Sequence, residues 1–132
     1  MIKHIQALTV AAMLSCLSFA GPVAAKSDAA EAQIDRAEAQ YKAAKERCDA
    51  LKGNEEDVCE KQAKADYEKA KADAKAQDKG TADARKDAVE DKAKADYKVA
   101  KEKCEALKGQ QEDACEAQAK ADYERALATV KK

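Results

Sequence analysis

The sequence predicts an all-α fold of two tandem antiparallel helical hairpins, four helices in all, each hairpin clasped by a disulfide. Three observations carry this. Residues 41–67, YKAAKERCDALKGNEEDVCEKQAKADY, return at residues 97–123 as YKVAKEKCEALKGQQEDACEAQAKADY, an offset of 56. From Lys26 onward there is no proline and no strand-like alternation, and the chain is rich in Ala, Lys, Glu, Gln and Asp, most of which favour helix. Each copy also places one cysteine on either side of a glycine turn. The pattern leaves open whether the hairpins pack as a loose bundle or lie end to end as an elongated molecule.

Residues 1–25 differ in kind from the rest. Lys3 and His4 form a short basic start, residues 5–20 are mostly apolar, and Gly21-Pro22 precedes Val23-Ala24-Ala25. This is the pattern of a Sec-type signal peptide with cleavage after Ala25. The apolar run is too short and too broken for a membrane anchor, and Met13-Leu14-Ser15 is a poor lead-in for acylation of Cys16. Removing 25 of 132 residues leaves 107 and takes away the single histidine and one of five cysteines. Four cysteines in an exported chain argue for disulfides and a periplasmic or secreted location.

The remaining chain holds 24 bases against 26 acids, a formal charge of −2, with the two signs interspersed. There is no basic face for nucleic acid or an anionic membrane, and no membrane span is expected after cleavage. Large apolar side chains are few, so the core must be assisted by helix propensity and by the disulfides.

The first helix is expected over residues 27–52, capped by Ser27 or Asp28. Its apolar positions Ile34, Ala37, Tyr41, Ala44, Cys48 and Leu51 are spaced 3, 4, 3, 4, 3, a heptad seam with Cys48 on the buried stripe. Gly53 then ends the helix and Asn54 caps the next, with Glu55, Glu56 and Asp57 where the helix dipole favours negative charge. A calcium loop would need alternating oxygen ligands and a glycine that this stretch lacks.

The second helix, residues 55–78, buries Cys59, Ala63, Tyr67, Ala70 and Ala74. Antiparallel pairing brings Cys48 level with Cys59, Ala44 with Ala63, and Tyr41 close to Tyr67. Alanine-lined helices approach to about 8–9 Å, leaving facing Cα atoms about 4–5 Å apart once two Cα radii are subtracted, and a disulfide accepts that separation.

Gly80 and Thr81 mark the joint between copies, as stop and N-cap; the alternative is one continuous helix through Gly80. The third helix, residues 82–108, repeats the seam as Ala93, Tyr97, Ala100, Cys104 and Leu107. The fourth, residues 111–130, supplies Cys115, Ala119, Tyr123 and either Ala126 or Leu127. The segment Ala-Lys-Ala-Asp-Tyr ends at Tyr67, Tyr97 and Tyr123, and Ala-Glu-Ala-Gln-Tyr ends at Tyr41, so each helix carries one tyrosine at similar depth, read here as core packing. Glu38 with Lys42, Glu60 with Lys64, Glu90 with Lys94, and Glu116 with Lys120 stand in the acid-first i,i+4 order that supports a helix.

Four cysteines allow three pairings. Opposition across each turn favours Cys48 with Cys59 and Cys104 with Cys115; the alternative staples the hairpins together through Cys48–Cys115 and Cys59–Cys104. A metal-ion binding module using reduced cysteines is the second functional reading, although ten residues between partners is unlike the tight pairs of zinc motifs. No cofactor and no metal ligand set is expected beyond that. An enzyme is not expected, since after residue 25 there is no histidine, no nucleophile beside a base and no phosphate-binding glycine loop.

A second alanine-rich stripe runs along the first hairpin, with Ala32, Ala39, Ala43 and Ala50 on the first helix and Val58, Ala65, Ala72 and Ala76 on the second. It is suited either to docking the hairpins together or to binding another helix, in a partner protein or in self-association. Ala43, Ala50, Val58 and Ala65 are its candidate partner-binding residues.

The signal peptide, the Ala/Lys/Glu/Asp-rich helices and the YKxAKExC…LKG…C repeat resemble small uncharacterised exported helical proteins of proteobacteria, often labelled TolA-like for their compositional similarity to that envelope protein's helical stalk. The resemblance implies a periplasmic home. The expected organisation is a signal peptide over residues 1–25, one hairpin repeat over 26–79 and a second over 80–132. The expected role is that of a non-enzymatic structural spacer or interaction factor of the envelope.

Overall fold

The computed structural model describes residues 22–131, with residues 22–26 described by their backbone alone. The expected signal segment up to Gly21, with His4 and Cys16, lies outside the described residues. Four helices follow one another: α1 (Pro22–Cys48), α2 (Asn54–Lys79), α3 (Ala82–Cys104) and α4 (Gln110–Val130). Among the described residues α1 packs on α2, α2 on α3 and α3 on α4, and no other pair of helices touches. The hairpins therefore lie side by side as an open up-and-down row of four helices.

The row is built from two kinds of helix face. Within each hairpin the heptad seam is buried in part, with Ala37, Cys48 and Ala63 buried in the first copy and Ala93, Cys104 and Ala119 in the second. Ile34, Ala44, Cys59, Ala70, Ala100 and Cys115 are half-buried, because the seam of a two-helix pair is open at its edges. Cys48–Cys59 and Cys104–Cys115 are disulfides, each with Cα atoms 5.5 Å apart. The crossed pairing between hairpins is excluded. Small side chains bring the helix axes together, and the sulfurs then span what remains. The tyrosines pair across each hairpin, Tyr41 on Tyr67 with ring centroids 5.6 Å apart and Tyr97 on Tyr123 at 5.2 Å, both nearly parallel. They are half-buried, closing the edge of an alanine seam that is too narrow to swallow a phenol.

The helix ends depart from expectation in instructive ways. In the uncleaved chain the first helix starts at Pro22 and runs through Ser27 and Asp28, so neither is its cap there; proline is at home in a first helical turn. The first and third helices stop at Cys48 and Cys104, short of residues 52 and 108. The disulfide pins each hairpin at its cysteines, and the reversal must begin at once. The N–H groups of Leu51 and Leu107 donate to the carbonyls of Cys48 and Cys104, at 2.8 and 2.9 Å, in a tightened i,i+3 turn. Leu51 and Leu107 consequently leave the seam and are each 37% exposed.

Gly53 and Gly109, at φ 61° and 59°, take the positive φ that completes each turn. Asn54 is the first residue of α2 rather than its cap, and its amide is used elsewhere. At the joint between copies Gly80 is left-handed, with φ 65°, and the Thr81 hydroxyl accepts the Ala84 N–H at 3.1 Å. This stop and restart rules out a helix continuing through Gly80.

Candidate interaction surface

The faces opposite the seams decide how the molecule can interact. A residue two positions along a helix from a seam residue points away from it, so α2 and α3, which each have two helical neighbours, must be apolar on two sides. Ala65, Ala95 and Val99 form one buried cluster between them, and Ala72, Ala76 and Ala88 another. Ala95 is 1% exposed, leaving no room for a larger group.

Charged side chains frame these clusters. Lys61 reaches Glu102 at 2.6 Å, Lys69 reaches Asp96 at 2.8 Å, Lys92 reaches Asp73 at 2.8 Å and Lys98 approaches Glu68 at 3.6 Å. Asn54 donates its side-chain amide to the Glu102 carbonyl at 3.1 Å, tying the start of α2 to the end of α3.

Glu102 is the one buried charged residue among those described, and it stands on the same α3 stripe as Ala88, Ala95 and Val99. Sequence reasoning missed it because the stripe was followed only on the first hairpin. Carried forward by 56 residues the stripe's alanine positions become 88, 95, 99 and 106, and Glu102 fills the helical position between the last two, as Glu46 does between Ala43 and Ala50.

Of the four expected pairs along single helices, one forms and two give way to pairs between helices. Glu38–Lys42 forms at 2.7 Å. Glu60 instead meets Lys45 at 3.1 Å and Glu116 meets Lys101 at 3.5 Å, each across its own hairpin and at equivalent positions in the two copies. Glu90 and Lys94 do not pair. An acid facing a neighbouring helix finds a base there without the crowding of its own helical surface, so tertiary proximity overrides the i,i+4 preference.

Hydrogen bonding to Glu102 raises the Lys61 pKa, and hydrogen bonding to Asp96 raises that of Lys69. A raised lysine pKa contributes stability that is complete below the ordinary lysine value and is lost as pH climbs through the higher folded value. Docking of the hairpins should therefore weaken above about pH 10.4. Urea midpoints measured at pH 9 and pH 11.5 should fall further for the natural chain than for one carrying Glu102→Gln and Asp96→Asn. Equal falls would show that these pairs do not contribute.

The candidate partner-binding residues fall into two groups. Ala65 is buried at 3% and Val58 is half-buried, both on the side of α2 that faces α3. Ala43 and Ala50 are exposed on α1 and its following turn. The second stripe thus divides: its α2 half docks the hairpins, and its α1 half is unpartnered.

The four candidate disulfide cysteines are all bonded. The metal-module reading is consequently left without thiolate ligands, and no group of three or more potential metal-ligating side chains gathers among the described residues. Glu55, Glu56 and Asp57 occupy the first turn of α2, where they face the helix dipole. No helix among the described residues is long and apolar enough to cross a membrane.

Comparison with protein-family models, with curated proteins and with solved structures finds no match to this chain. Its own internal repeat is then the most informative relative available, because each surface residue of one copy has a counterpart 56 positions away whose environment is known.

Proposed function

We propose that this chain is a non-enzymatic periplasmic protein, a helical spacer or interaction factor of the cell envelope. Two disulfides in a chain that opens with a basic and then apolar segment support an oxidising, exported location. The observation that carries the interaction role is the openness of the row. Ala39 and Ala43 on α1 are exposed, while their counterparts Ala95 and Val99 on α3 are buried against a helix. The outer face of α1 is therefore of a kind that this fold uses to dock helices.

Photo-cross-linking residues introduced at Ala43 and, as a control, at the solvent-facing Lys64 test this in cells. Adducts formed at Ala43 and not at Lys64, and lost when Ala39 is also replaced by glutamate, are the expected result. Equal yields at the two positions, or none at Ala43, would remove the α1 face as an interaction surface.

A further inference from the structure

We infer that the outer face of α4 in one molecule receives the outer face of α1 in a second copy, so that the chain associates head to tail through a repeat of its own α2–α3 interface. This rests on the interaction reading above and names the partner.

The argument starts from the repeat. The α2–α3 contact joins the second helix of one copy to the first helix of the next. Shifting both helices by 56 residues in opposite senses turns α2 into α4 and α3 into α1, and each of these carries most of the corresponding half of that interface with no other described helix against it. The exceptions are Ala76, whose counterpart is Lys132, and Ala84, whose counterpart is Asp28. On α1, Ala32, Ala39 and Ala43 stand where α3 has Ala88, Ala95 and Val99. On α4, Ala114, Ala121 and Ala128 stand where α2 has Val58, Ala65 and Ala72. All six end-helix residues are exposed, whereas of their counterparts all but the half-buried Val58 are buried. What covers such a face is thus visible inside the same molecule.

The polar frame carries over in part. Glu124 and Lys42 are the counterparts of Glu68 and Lys98 and keep their charges. Arg125 replaces Lys69 and would face Gln40 in place of Asp96; Arg36 replaces Lys92 and would face Thr129 in place of Asp73. Both bases keep an oxygen acceptor opposite them. The pair between Lys61 and Glu102 is lost, because Ala117 stands opposite Glu46.

The junction is complementary but weaker than its internal template, which is also helped by the short Gly80-Thr81 link that holds its halves at an effective concentration of about millimolar. The two halves differ from each other, so two α1 faces or two α4 faces have no template for meeting. The contact is heterologous, so each copy added offers a free face for the next and hairpins stack head to tail.

Sedimentation equilibrium on the oxidised, exported chain tests this. The natural protein should gain mass as its concentration approaches about 1 mM, as expected when a linked interface is made intermolecular. Restoring the template with Gln40→Asp, Ala43→Val, Ala117→Lys and Thr129→Asp should tighten association at least about tenfold, on the usual scale of interface ion pairs and buried methyl groups.

Two single-face variants on that restored background fix the geometry. Ala39→Glu alone and Ala121→Glu alone should each be monomeric, and their equimolar mixture should form dimers and nothing larger, because one intact junction survives. Helicity unchanged by circular dichroism shows that each variant is folded. A restored chain that stays monomeric would overturn the inference, as would an Ala121→Glu variant that still associates or a mixture that does not. If the purified chain is monomeric while Ala43 captures a different protein in cells, self-association falls and the interaction reading stands.

Discussion

Replacing all four bonded cysteines with serine is expected to abolish the cooperative tertiary structure while leaving much of the helix content in place. Each disulfide closes a segment running from Cys48 to Cys59 or from Cys104 to Cys115, 11 residues apart in sequence, and each such closure contributes about 3 kcal/mol. A small domain has only about 5–15 kcal/mol to lose. The core offers little to offset the loss, since among the described residues, apart from the cysteines, the buried hydrophobic residues are all alanine except Val99.

The two end helices are the most exposed to this change. Among the described residues α1 touches only α2 and α4 touches only α3, so each is held there by one alanine seam, one tyrosine stack and one disulfide. Removing a single pair should free one end helix and lower stability by about 3 kcal/mol. Near-ultraviolet circular dichroism reports the tyrosine stacks, and urea unfolding reports the stability. An unchanged urea midpoint in the four-serine variant would show that alanine packing alone sustains the fold.

The second large effect is expected from Ala95→Glu. Ala95 packs with Ala65 and Val99 in the α2–α3 contact, which among the described residues is the one that joins the hairpins. A glutamate there adds volume where none is available and brings a charge with no partner, costing about 3 kcal/mol or more if the interface stayed closed. The interface should open instead. The hairpins would separate about the Gly80-Thr81 joint, each still clasped by its own disulfide, and the radius of gyration from small-angle X-ray scattering should rise while helicity is kept.

The matched control is Ala39→Glu, the same position one repeat earlier. Ala39 is exposed on α1, and at low protein concentration this change should alter stability by no more than about 0.5 kcal/mol. Opposite outcomes at equivalent positions would show that location in the row, and not residue type, decides the role of the stripe. Similar outcomes would mean that the α2–α3 contact is not what joins the hairpins.

The local features were legible in the sequence because they depend on near neighbours. Helix content follows from composition, and the glycine turns and the Thr81 cap follow from residue type at single positions. The pairing of Cys48 with Cys59 follows from opposing two heptad seams across a short turn, an argument needing only the helix period and the width of alanine.

Other features depended on parts of the chain that one stripe of one helix does not reveal. Leu51 and Leu107 fit the seam by spacing, yet the disulfide forces the chain to reverse before they can join it. Glu60 and Glu116 fit the i,i+4 rule, yet a lysine on the facing helix is the better partner. Asn54 is a natural cap by residue type, yet the Glu102 carbonyl on α3 takes its amide.

The division of the second alanine stripe lies furthest from the sequence. Ala39 and Ala95 are the same residue in similar local contexts. These differ within one turn at Arg36/Lys92, Glu38/Lys94, Gln40/Asp96 and Ala43/Val99, and none of these differences places a helix against one stripe and not the other. What separates them is that α3 has a helix on each side and α1 has one. By itself the sequence determined the four helices and their turns and favoured their clasps. Only the tertiary structure decided the order of the row, and with it which alanine faces are covered and which are left for a partner, because burial is set by the neighbours a helix has and not by the residues it carries.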